Sequence, residues 1–364
     1  EGYLTEDEYQ EALAQELNFK SGIDAGDRMA YCETEGCGYK GIVNSLIAVE
    51  DKFYCPQCEE LIKITDYASD TVYSWFVDTV LEDVAAALAE KDGRTWDEMG
   101  KQERELYRQL IQRGGYHIYT TLDMDVQKQV DKIYTDLSMI PDTRGGQQLQ
   151  SAIVVIDNRT GDVVALAGGV GEKTDFLGYN KATQAKLQTG SSQKPISVYV
   201  PAFESGAASP VTVVKDMPVS NISGAWPKND NRKYNYARTI YSGISASVNA
   251  VAANTLEIIG TGYSYDFAKN KFRISTLVDY YVDAYGEPHT DKGYAPLAMG
   301  AQTWGVTVRD MAAAFATYAN NGVYREARTF TKVFDSDGNL ILDNTQETEQ
   351  ILSEKANKYI NYCL

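Results

Sequence analysis

The hydrophobic pattern along the chain alternates between helical spacing and short apolar runs. Apolar residues at helical spacing in "SDTVYSWFVDTVLEDVAAALAEKDG", residues 69–93, predict an amphipathic helix that ends near Gly93. The segment "GGYHIYTTLDMDVQKQVDKIYTDL" predicts a short strand, a turn at residues 122–125 and a second helix. Two apolar runs, 152–156 and 163–167, are joined by Asp-Asn-Arg-Thr-Gly and predict a β-hairpin. The pattern therefore predicts a fold that mixes α and β structure.

The stretch "GSSQKPISVYVPAFESG" predicts a helix that ends at Gly206 and has Ser191 at its N-terminus. The unpaired N–H groups and the positive dipole end at a helix N-terminus favour negative charge on a serine oxygen. Lys194 follows three residues later, on the same face, and Pro195 is tolerated because it falls in the first turn. A buried lysine with a lowered pKa can take the serine proton. This stretch is therefore either a nucleophile with its base or an ordinary capped helix start.

A second polar group opens the predicted helix in "SASVNAVAANTLEIIG". Ser247 and Asn249 form an S-x-N pattern there, in which the hydroxyl can relay protons and the amide can hold a substrate carbonyl. The alternative is that Ser247 or Asn249 is a plain N-cap. S-x-x-K followed by S-x-N has the order found in serine β-lactamases and penicillin-binding proteins.

Composition and charge restrict the function classes. With 364 residues and 43% hydrophobic residues, the chain is long enough for two or more domains with buried cores. The formal net charge of -17 repels phosphates and anionic headgroups, which argues against a nucleic-acid partner. We find no apolar run of the length that a membrane span needs.

Four cysteines fall in one window as two close pairs, Cys32 with Cys37 and Cys55 with Cys58, whereas Cys363 stands alone. This spacing is typical of a zinc ribbon, in which four thiolates hold a structural ion. The alternative is two disulfides in an oxidising compartment. Because all four sulfurs are used in a closed site, we expect the metal to be structural and not catalytic.

Histidine chemistry has little support in this sequence. The chain contains two histidines, His117 in a predicted strand and His289 in a loop-like segment. We therefore expect both to be structural or exposed residues, and we do not expect a Ser-His-Asp triad.

Most of residues 1–20 and 71–364 resemble bifunctional (class A) penicillin-binding proteins. The resemblance implies a serine β-lactamase/transpeptidase-like α+β fold, an α/β sandwich with an antiparallel central sheet flanked by helices. By the same resemblance, Ser191 is the acylated serine, Lys194 its base, and Ser247 and Asn249 the second motif. The segments that carry it are "GYLTEDEYQEAL", "GGYHIYTTLDMDVQKQV", "SAIVVIDNRTGDVVALAGG", "YNKATQAKLQTGSSQKP", "SASVNAVAANTLEIIG" and "PLAMGAQTWGVTVRDMAAAFATYANNGVY".

The resemblance implies a division of the chain. Residues 1–22 would be the end of a glycosyltransferase domain, 67–147 a linker region and 148–364 the penicillin-binding transpeptidase domain. Residues 23–66, which contain the four cysteines, are a departure from the family and form a zinc-ribbon-like insert.

The activity implied by the resemblance is peptidoglycan D,D-transpeptidation without a cofactor. Its partners would be stem peptides, a D-alanyl-D-alanine donor and an amino acceptor, together with β-lactam antibiotics and the cell-wall synthesis machinery. Its place would be the extracytoplasmic face of the bacterial membrane, held by an upstream anchor. A D,D-carboxypeptidase, a serine β-lactamase, a non-catalytic β-lactam sensor or scaffold and a zinc-ribbon nucleic-acid module are the alternatives.

The family's K-T-G strand is absent from the sequence. The similar triplet Arg159-Thr160-Gly161 precedes Ser191 and fits the predicted hairpin turn. We therefore expect a sequence truncated at both ends, inactive as a fragment, whose parent protein is active and carries a glycosyltransferase upstream.

Overall fold

The computed structural model describes residues 72–364 apart from 142, 144, 220–223 and 347. Before residue 72 it describes short stretches alone. These are residues 16–18, 29–31, 34, 37, 40–42, 47–49, 52–55, 57–58, 60 and 63–64.

The strands and helices are numbered in chain order. The strands are β1 Glu16–Asn18, β2 Met29–Tyr31, β3 Lys40–Ile42, β4 Ile47–Val49, β5 Lys52–Tyr54, β6 Lys63–Ile64, β7 His117–Thr120, β8 Ile153–Ile156, β9 Val163–Ala167, β10 Val213–Asp216, β11 Tyr236–Thr239, β12 Tyr281–Val282, β13 Pro288–His289, β14 Val323–Tyr324, β15 Phe330–Phe334, β16 Leu340–Asp343 and β17 Glu349–Gln350. The α-helices are α1 Trp75–Lys91, α2 Lys101–Arg113, α3 Met124–Thr135, α4 Val200–Glu204, α5 Ile240–Ser245, α6 Asn249–Ile259, α7 Thr261–Asn270, α8 Tyr294–Met299, α9 Val308–Ala319 and α10 Glu354–Cys363.

The chain forms two compact units. The first contains residues 1–122, 172–178 and 329–345, and the second contains 123–171, 179–328 and 346–364. In the first unit an antiparallel sheet has the strand order β1-β7-β15-β16. The predicted strand at residues 117–120 is β7, which buries Ile118 and Thr120 on one face because side chains alternate along a strand.

Helix α1 confirms the amphipathic helix predicted before Gly93. Ser74 begins the helix by accepting a hydrogen bond from the Val77 N–H at 3.2 Å. Phe76, Val80 and Val84 are fully buried, as their helical spacing requires. Helix α1 packs against α2 and β15 within the first unit.

The second unit contains the predicted hairpin, β8 with β9, in which Val154 faces Leu166. Its turn places Gly161 at a φ of 76°, and the Gly161 N–H donates to the Asp157 carbonyl at 2.8 Å. The Arg-Thr-Gly triplet is therefore turn chemistry, as predicted. Helix α3 packs on β9 and α9 packs on β8. Among the described residues of this unit, the sheets are two-stranded, which is less than the central sheet that the resemblance implied.

The segment predicted as one helix up to Gly206 is three helical pieces in succession. A 3₁₀ turn covers Gly190–Gln193, a π-helix covers Pro195–Tyr199, and α4 follows. The difference has a physical cause, because Pro195 and Pro201 cannot donate backbone hydrogen bonds. The Val200 N–H reaches the Pro195 carbonyl, five residues back, which is the π-helical pairing.

Both ends of helix α9 are defined by local residues. Thr307 accepts a hydrogen bond from the Asp310 N–H at 3.1 Å, and Asn321 and Gly322 follow with φ values of 54° and 81°. None of the helices in the described part of the chain is both long and apolar enough to cross a membrane.

Candidate active site

Ser191 lies in the exposed 3₁₀ turn that opens the three-piece helix. Gly190 has a φ of 58°, a conformation that a side chain disfavours. Thr189 is the N-cap residue of this turn and makes no side-chain cap hydrogen bond, so Ser191 is not the capping residue. The turn therefore presents the Ser191 hydroxyl to solvent at the start of a buried helical segment.

The Lys194 side chain is almost completely buried, with 2% of its surface exposed. Its Nζ atom donates to the Ser247 carbonyl at 2.8 Å, to Ser247 Oγ at 3.3 Å and to Asn249 Oδ1 at 2.7 Å. Among described residues these are its partners, and the Ser191 hydroxyl is not one of them. Burial lowers the pKa of Lys194 to about 8, because a charged amine loses its hydration. Lys194 is therefore a buried amine that loses its proton at a lower pH than an exposed lysine does.

Ser247 and Asn249 both turn their side chains toward Lys194. The N-cap of α6 is Val248, which makes no side-chain cap hydrogen bond, so the alternative of a plain N-cap at Ser247 or Asn249 is wrong. Ser247 has a φ of 49°, which costs a residue other than glycine on the order of 1–2 kcal/mol. This backbone conformation places both the Ser247 carbonyl and its hydroxyl within reach of one amine. The structure thus brings Lys194, Ser247 and Asn249 together, as the motifs predicted.

An asparagine that the motifs did not include supports this group. The Asn229 Oδ1 atom accepts from the Ala250 N–H at 2.9 Å, and its Nδ2 atom donates to Asp216 Oδ1 at 2.7 Å. The Asn249 Nδ2 atom donates to the Lys228 carbonyl at 2.9 Å. The loop before β11 therefore holds both the first turn of α6 and the amide that faces Lys194.

Asp216 is fully buried beneath this loop. Burial raises the pKa of its carboxyl, but hydrogen bonds from Asn229, Arg238 and Asn235 lower the pKa by a larger amount. The pKa of Asp216 therefore lies below its usual value. The Arg238 Nε atom lies 2.8 Å from the carboxylate. An Asn-rich loop has the same composition whether it is exposed or supports a site, so the sequence contained no signal for this role.

A second support lies on the other side of Ser191. The buried Gln302 donates from Nε2 to Thr189 Oγ1 at 2.7 Å and to Gln193 Oε1 at 3.0 Å, and its Oε1 accepts from the Thr189 N–H at 3.2 Å. Gly300 has a φ of 67°, and a Cβ atom there would collide with the backbone of Gly190. Gln302 and Gly300 thus fix the position of the turn that carries the serine.

The histidines do not take part in this arrangement. His289 belongs to β13 in a short hairpin, where the sequence predicted a loop, and its Nε2 atom lies 3.0 Å from Asp283 Oδ2. His117 pairs through its backbone with Asn18 and Phe334 in the sheet of the first unit. Neither is among the described hydrogen-bond partners of Lys194.

Three of the four cysteines cluster in the first unit. The Sγ atoms of Cys37, Cys55 and Cys58 all lie within 4.8 Å of one another, while Cys32 falls outside the described residues. Cys37 Sγ and Cys55 Sγ are 3.6 Å apart, far longer than the ~2.05 Å of a disulfide bond. Zn–S bonds of about 2.3 Å in a tetrahedron separate the sulfurs by roughly 3.8 Å. The spacing of these three residues fits a zinc ion.

The strands around the cysteines form a small antiparallel sheet, β3-β2-β6, and a hairpin, β4 with β5. The Gln57 N–H points to Cys55 Sγ at 3.4 Å, and the Gln57 side chain donates to the Cys37 carbonyl at 3.1 Å. Both contacts fix the positions of the cysteine loops.

Comparison with known proteins gives a consistent result. The model of the family described as "Penicillin binding protein transpeptidase domain" matches residues 151–364. Penicillin-binding protein 1A of Clostridium perfringens (strain 13) is 32% identical over 316 residues, which cover 81% of this chain and 43% of the relative. Penicillin-binding protein 1F of Bacillus subtilis is 34% identical over 251 residues, covering 68% of this chain and 32% of that protein. The chain spans less than half the length of these relatives.

The fold is also found among solved structures. PonA1 of Mycobacterium tuberculosis, solved in complex with penicillin V, superimposes with a TM-score of 0.60 at 22% identity, over 79% of this chain and 70% of that one. Penicillin-binding protein 3 of the same organism, complexed with ampicillin, gives 0.55 at 20% identity, over 69% and 57%. At these identities the likeness concerns the fold.

Proposed function

The chain belongs to the penicillin-binding protein transpeptidase domain family, and from that premise we propose that it is the acyl-transferring part of a peptidoglycan D,D-transpeptidase. Its substrate is a stem peptide that ends in D-alanyl-D-alanine. The observation that carries the proposal is Lys194, a buried amine with a lowered pKa that is held by Ser247 and Asn249 one turn from an exposed serine. A helix cap requires neither the burial of a lysine nor its pairing with a second polar group.

In the first step, the neutral Nζ atom of Lys194 takes the proton of the Ser191 hydroxyl. The Ser191 oxygen attacks the carbonyl carbon between the two D-alanines, and the C–N bond breaks. The proton passes from Lys194 to the departing amine, with Ser247 Oγ, 3.3 Å from Nζ, as the relay. D-Alanine leaves, and the stem peptide remains as an ester on Ser191.

In the second step, an amino group of a neighbouring stem peptide attacks the ester carbonyl. Its proton returns through Lys194 to Ser191, and the peptide cross-link is released. A β-lactam takes the same path as far as the ester, because opening its ring forms an acyl-enzyme whose leaving amine stays attached. The Asn249 side chain is suited to hold the amide of the acyl group. No step requires a metal or an organic cofactor.

Water could replace the amine in the second step. The protein would then be a D,D-carboxypeptidase, or a β-lactamase if it released opened β-lactams quickly. A protein that formed the ester without turning over would be a β-lactam sensor or scaffold. The similarity to penicillin-binding proteins 1A and 1F favours the transpeptidase. The net charge of -17 argues against the nucleic-acid module.

The wider context is part of the same proposal. We place the protein at the extracytoplasmic face of a bacterial membrane, held by an upstream anchor, with the cell-wall synthesis machinery as partner. The proposed enzyme carries an upstream glycosyltransferase and a K-T-G strand. The cysteine cluster is proposed as a structural zinc site of Cys32, Cys37, Cys55 and Cys58, supported by the three sulfurs that the structure describes.

The proposal is tested by treating the full-length protein with a fluorescent penicillin, followed by intact mass and peptide mapping. We expect one adduct on Ser191, lost in Ser191→Ala and retained in Ser192→Ala, a matched control in the same exposed turn. A folded protein that forms no adduct, or an adduct on another residue, would contradict the assignment. A D-alanyl-D-alanine peptide incubated with and without an amine then separates transpeptidation from hydrolysis by product mass.

A further inference from the structure

A cavity of about 600 Å³ lies in the second unit, between the β12–β13 hairpin and residues 301–304. Its volume is within the range of about 300–1,000 Å³ that small-molecule sites have. Ser191, Lys194, Ser247 and Asn249 do not line it. A ligand in this cavity would therefore bind without being one of the reacting groups.

Buried hydrogen bonds fix the walls of the cavity. Asp291 is fully buried, and its carboxylate accepts from the Val278 N–H, the Thr303 N–H and the Thr303 hydroxyl, each at 2.8 Å. These bonds join the base of the hairpin to the loop that carries Trp304. The cavity is therefore formed before any ligand binds, as is usual for binding sites.

Ring side chains form the apolar part of the walls. The rings of Tyr281 and Trp304 lie 5.5 Å apart at 68°, and the His289 ring lies 6.2 Å from that of Tyr281. Tyr281 and Trp304 keep 40% and 48% of their surface exposed. Pro288 and Pro296 also line the cavity. These walls favour a ligand with an apolar face that can pack on a ring.

Neutral polar groups form the rest of the walls, and two of them are ready to bind a ligand. The Thr290 hydroxyl accepts from the Lys292 N–H at 3.1 Å, and Gln188 Nε2 donates to the Gln302 carbonyl at 3.3 Å. Among the described residues, neither the Thr290 hydroxyl proton nor Gln188 Oε1 has a partner. The cavity thus offers both a donor and an acceptor to hydroxyl or amide groups.

The charge of the walls favours a neutral ligand. Among the described residues that line the cavity, none carries a carboxylate or an ammonium group. The nearest acids already have partners, since Asp283 lies 3.0 Å from His289 Nε2 and Asp279 lies 2.6 Å from Lys292 Nζ. A charged ligand would lose hydration in this cavity without gaining a counter-charge.

We propose that this cavity binds one ring of a neutral oligosaccharide. A pyranose ring carries C–H groups on its face and hydroxyl or amide groups around its edge, which match the ring side chains and the neutral polar groups of the walls. The inference rests on the proposed transpeptidase function for the source of the sugar, an N-acetylated glycan strand that carries stem peptides. It adds a contact to the glycan, away from the reacting atoms.

The test uses the full-length Ser191→Ala protein, labelled with 5-fluorotryptophan and titrated with chitotetraose, a neutral oligomer of N-acetylglucosamine. The ¹⁹F signal of Trp304, assigned by its loss in Trp304→Leu, should shift saturably. Because this signal belongs to one residue, sugar bound elsewhere on the protein is not counted. A Trp304 signal that does not move would overturn the sugar site.

Two variants test the two kinds of wall while Trp304 remains as the reporter. We expect Tyr281→Leu to raise the half-saturating concentration roughly fivefold, because leucine lacks a ring face. Thr290→Val keeps the shape of the side chain but lacks the hydroxyl, and we expect a rise of about threefold. Tyr285→Leu is the matched control, since Tyr285 is 91% exposed on the same hairpin and does not line the cavity. Half-saturating concentrations equal to that of the control in both variants would overturn the site.

A charged probe tests the preference for a neutral ligand. Nα-acetyl-lysine amide, at the concentration at which chitotetraose saturates, should leave the Trp304 signal in place. A signal that moved with this cation and not with the sugar would overturn the proposal.

Penicillin separates this site from the proposed function. In Trp304→Leu with Ser191 intact, acylation by penicillin should stay within twofold of wild type, because the cavity contains none of the reacting groups. Normal acylation of wild-type Ser191 without a sugar-induced shift would overturn the sugar site alone. A saturable shift without acylation would overturn the proposed function and uphold the sugar site.

Discussion

The buried Lys194 amine makes acylation depend on pH in a way that the structure specifies. With a pKa of about 8, lowered by burial, roughly one tenth of Lys194 is neutral at pH 7 and about nine tenths at pH 9. If neutral Lys194 is the base, the second-order rate of Ser191 acylation by penicillin rises about tenfold between these pH values and then levels off.

The same pKa predicts a change in stability. The unfolded chain holds its lysine proton up to about pH 10.4, so the folded state releases the proton first and the free energy of unfolding increases with pH between about 8 and 10.4. Below pH 8 the folded protein carries the full cost of the buried charge, about 3 kcal/mol for a lowering of about 2.5 pKa units. Lys194→Met removes this dependence, because methionine does not titrate.

The assay is stopped-flow or quenched labelling with penicillin from pH 6 to 10, beside urea unfolding of wild type and Lys194→Met at pH 7 and 10. We expect a sigmoidal rate with its midpoint near 8, and a difference in unfolding free energy between the two proteins that changes by about 2.5 kcal/mol between pH 7 and 10. The assignment of Lys194 as a base of lowered pKa would be refuted by an acylation rate that is flat between pH 7 and 9, together with a difference in unfolding free energy between wild type and Lys194→Met that is the same at pH 7 and pH 10.

Three other predictions concern the supports of the site. Asn229→Ala leaves the Ala250 N–H without its partner, and we expect a loss of about 1–3 kcal/mol in unfolding free energy and slower penicillin acylation with an unchanged pH midpoint; Asn229→Asp keeps the acceptor but sets a second carboxylate against the buried Asp216, so it should lose at least as much, and wild-type stability in Asn229→Asp would contradict this. Gly300→Ala drives a Cβ atom into Gly190, and acylation should fall at least tenfold while the protein still folds; wild-type rates would show that the turn can move. The cysteine cluster should hold about one zinc per chain by elemental analysis, lost with Cys55→Ser, and a zinc-free wild-type protein would contradict the site.

The chemistry of the site was more predictable than its support. The S-x-x-K and S-x-N patterns are short, and their order matches a known motif set, which predicted that Lys194 would meet Ser247 and Asn249. Asn229 and Gln302 reach the site through contacts between residues distant in sequence, and nothing in their neighbourhood distinguishes them from surface amides. The sequence also contained no indication of the left-handed backbone of Ser247. Its position just before α6 requires this conformation, and the residue type does not.

Some elements of the fold could likewise be predicted from the sequence, and others could not. Helix α1, β7 and the β8–β9 hairpin agree with the hydrophobic pattern because one face of each element is buried. The helix after Ser191 differs from the prediction because its two prolines lack backbone N–H donors. The remaining hydrogen bonds, and not the spacing of apolar residues, determine the backbone there. The β12–β13 hairpin was missed because its strands are two residues long.

The π-helical piece between Lys194 and α4 acts as one extra residue inserted into a helix. An α-helix advances by 100° per residue, so removal of a single residue from Pro195–Tyr199 would restore α-helical pairing and rotate everything before it by about 100°. The buried face of α4 would keep its place while Ser191 and Lys194 turned away from Ser247. The length of this short piece therefore sets how the turn that carries Ser191 is rotated relative to the buried face of α4. A one-residue deletion within Pro195–Tyr199 should therefore reduce acylation more than a single substitution in the same segment, while the distant hairpins keep their structure.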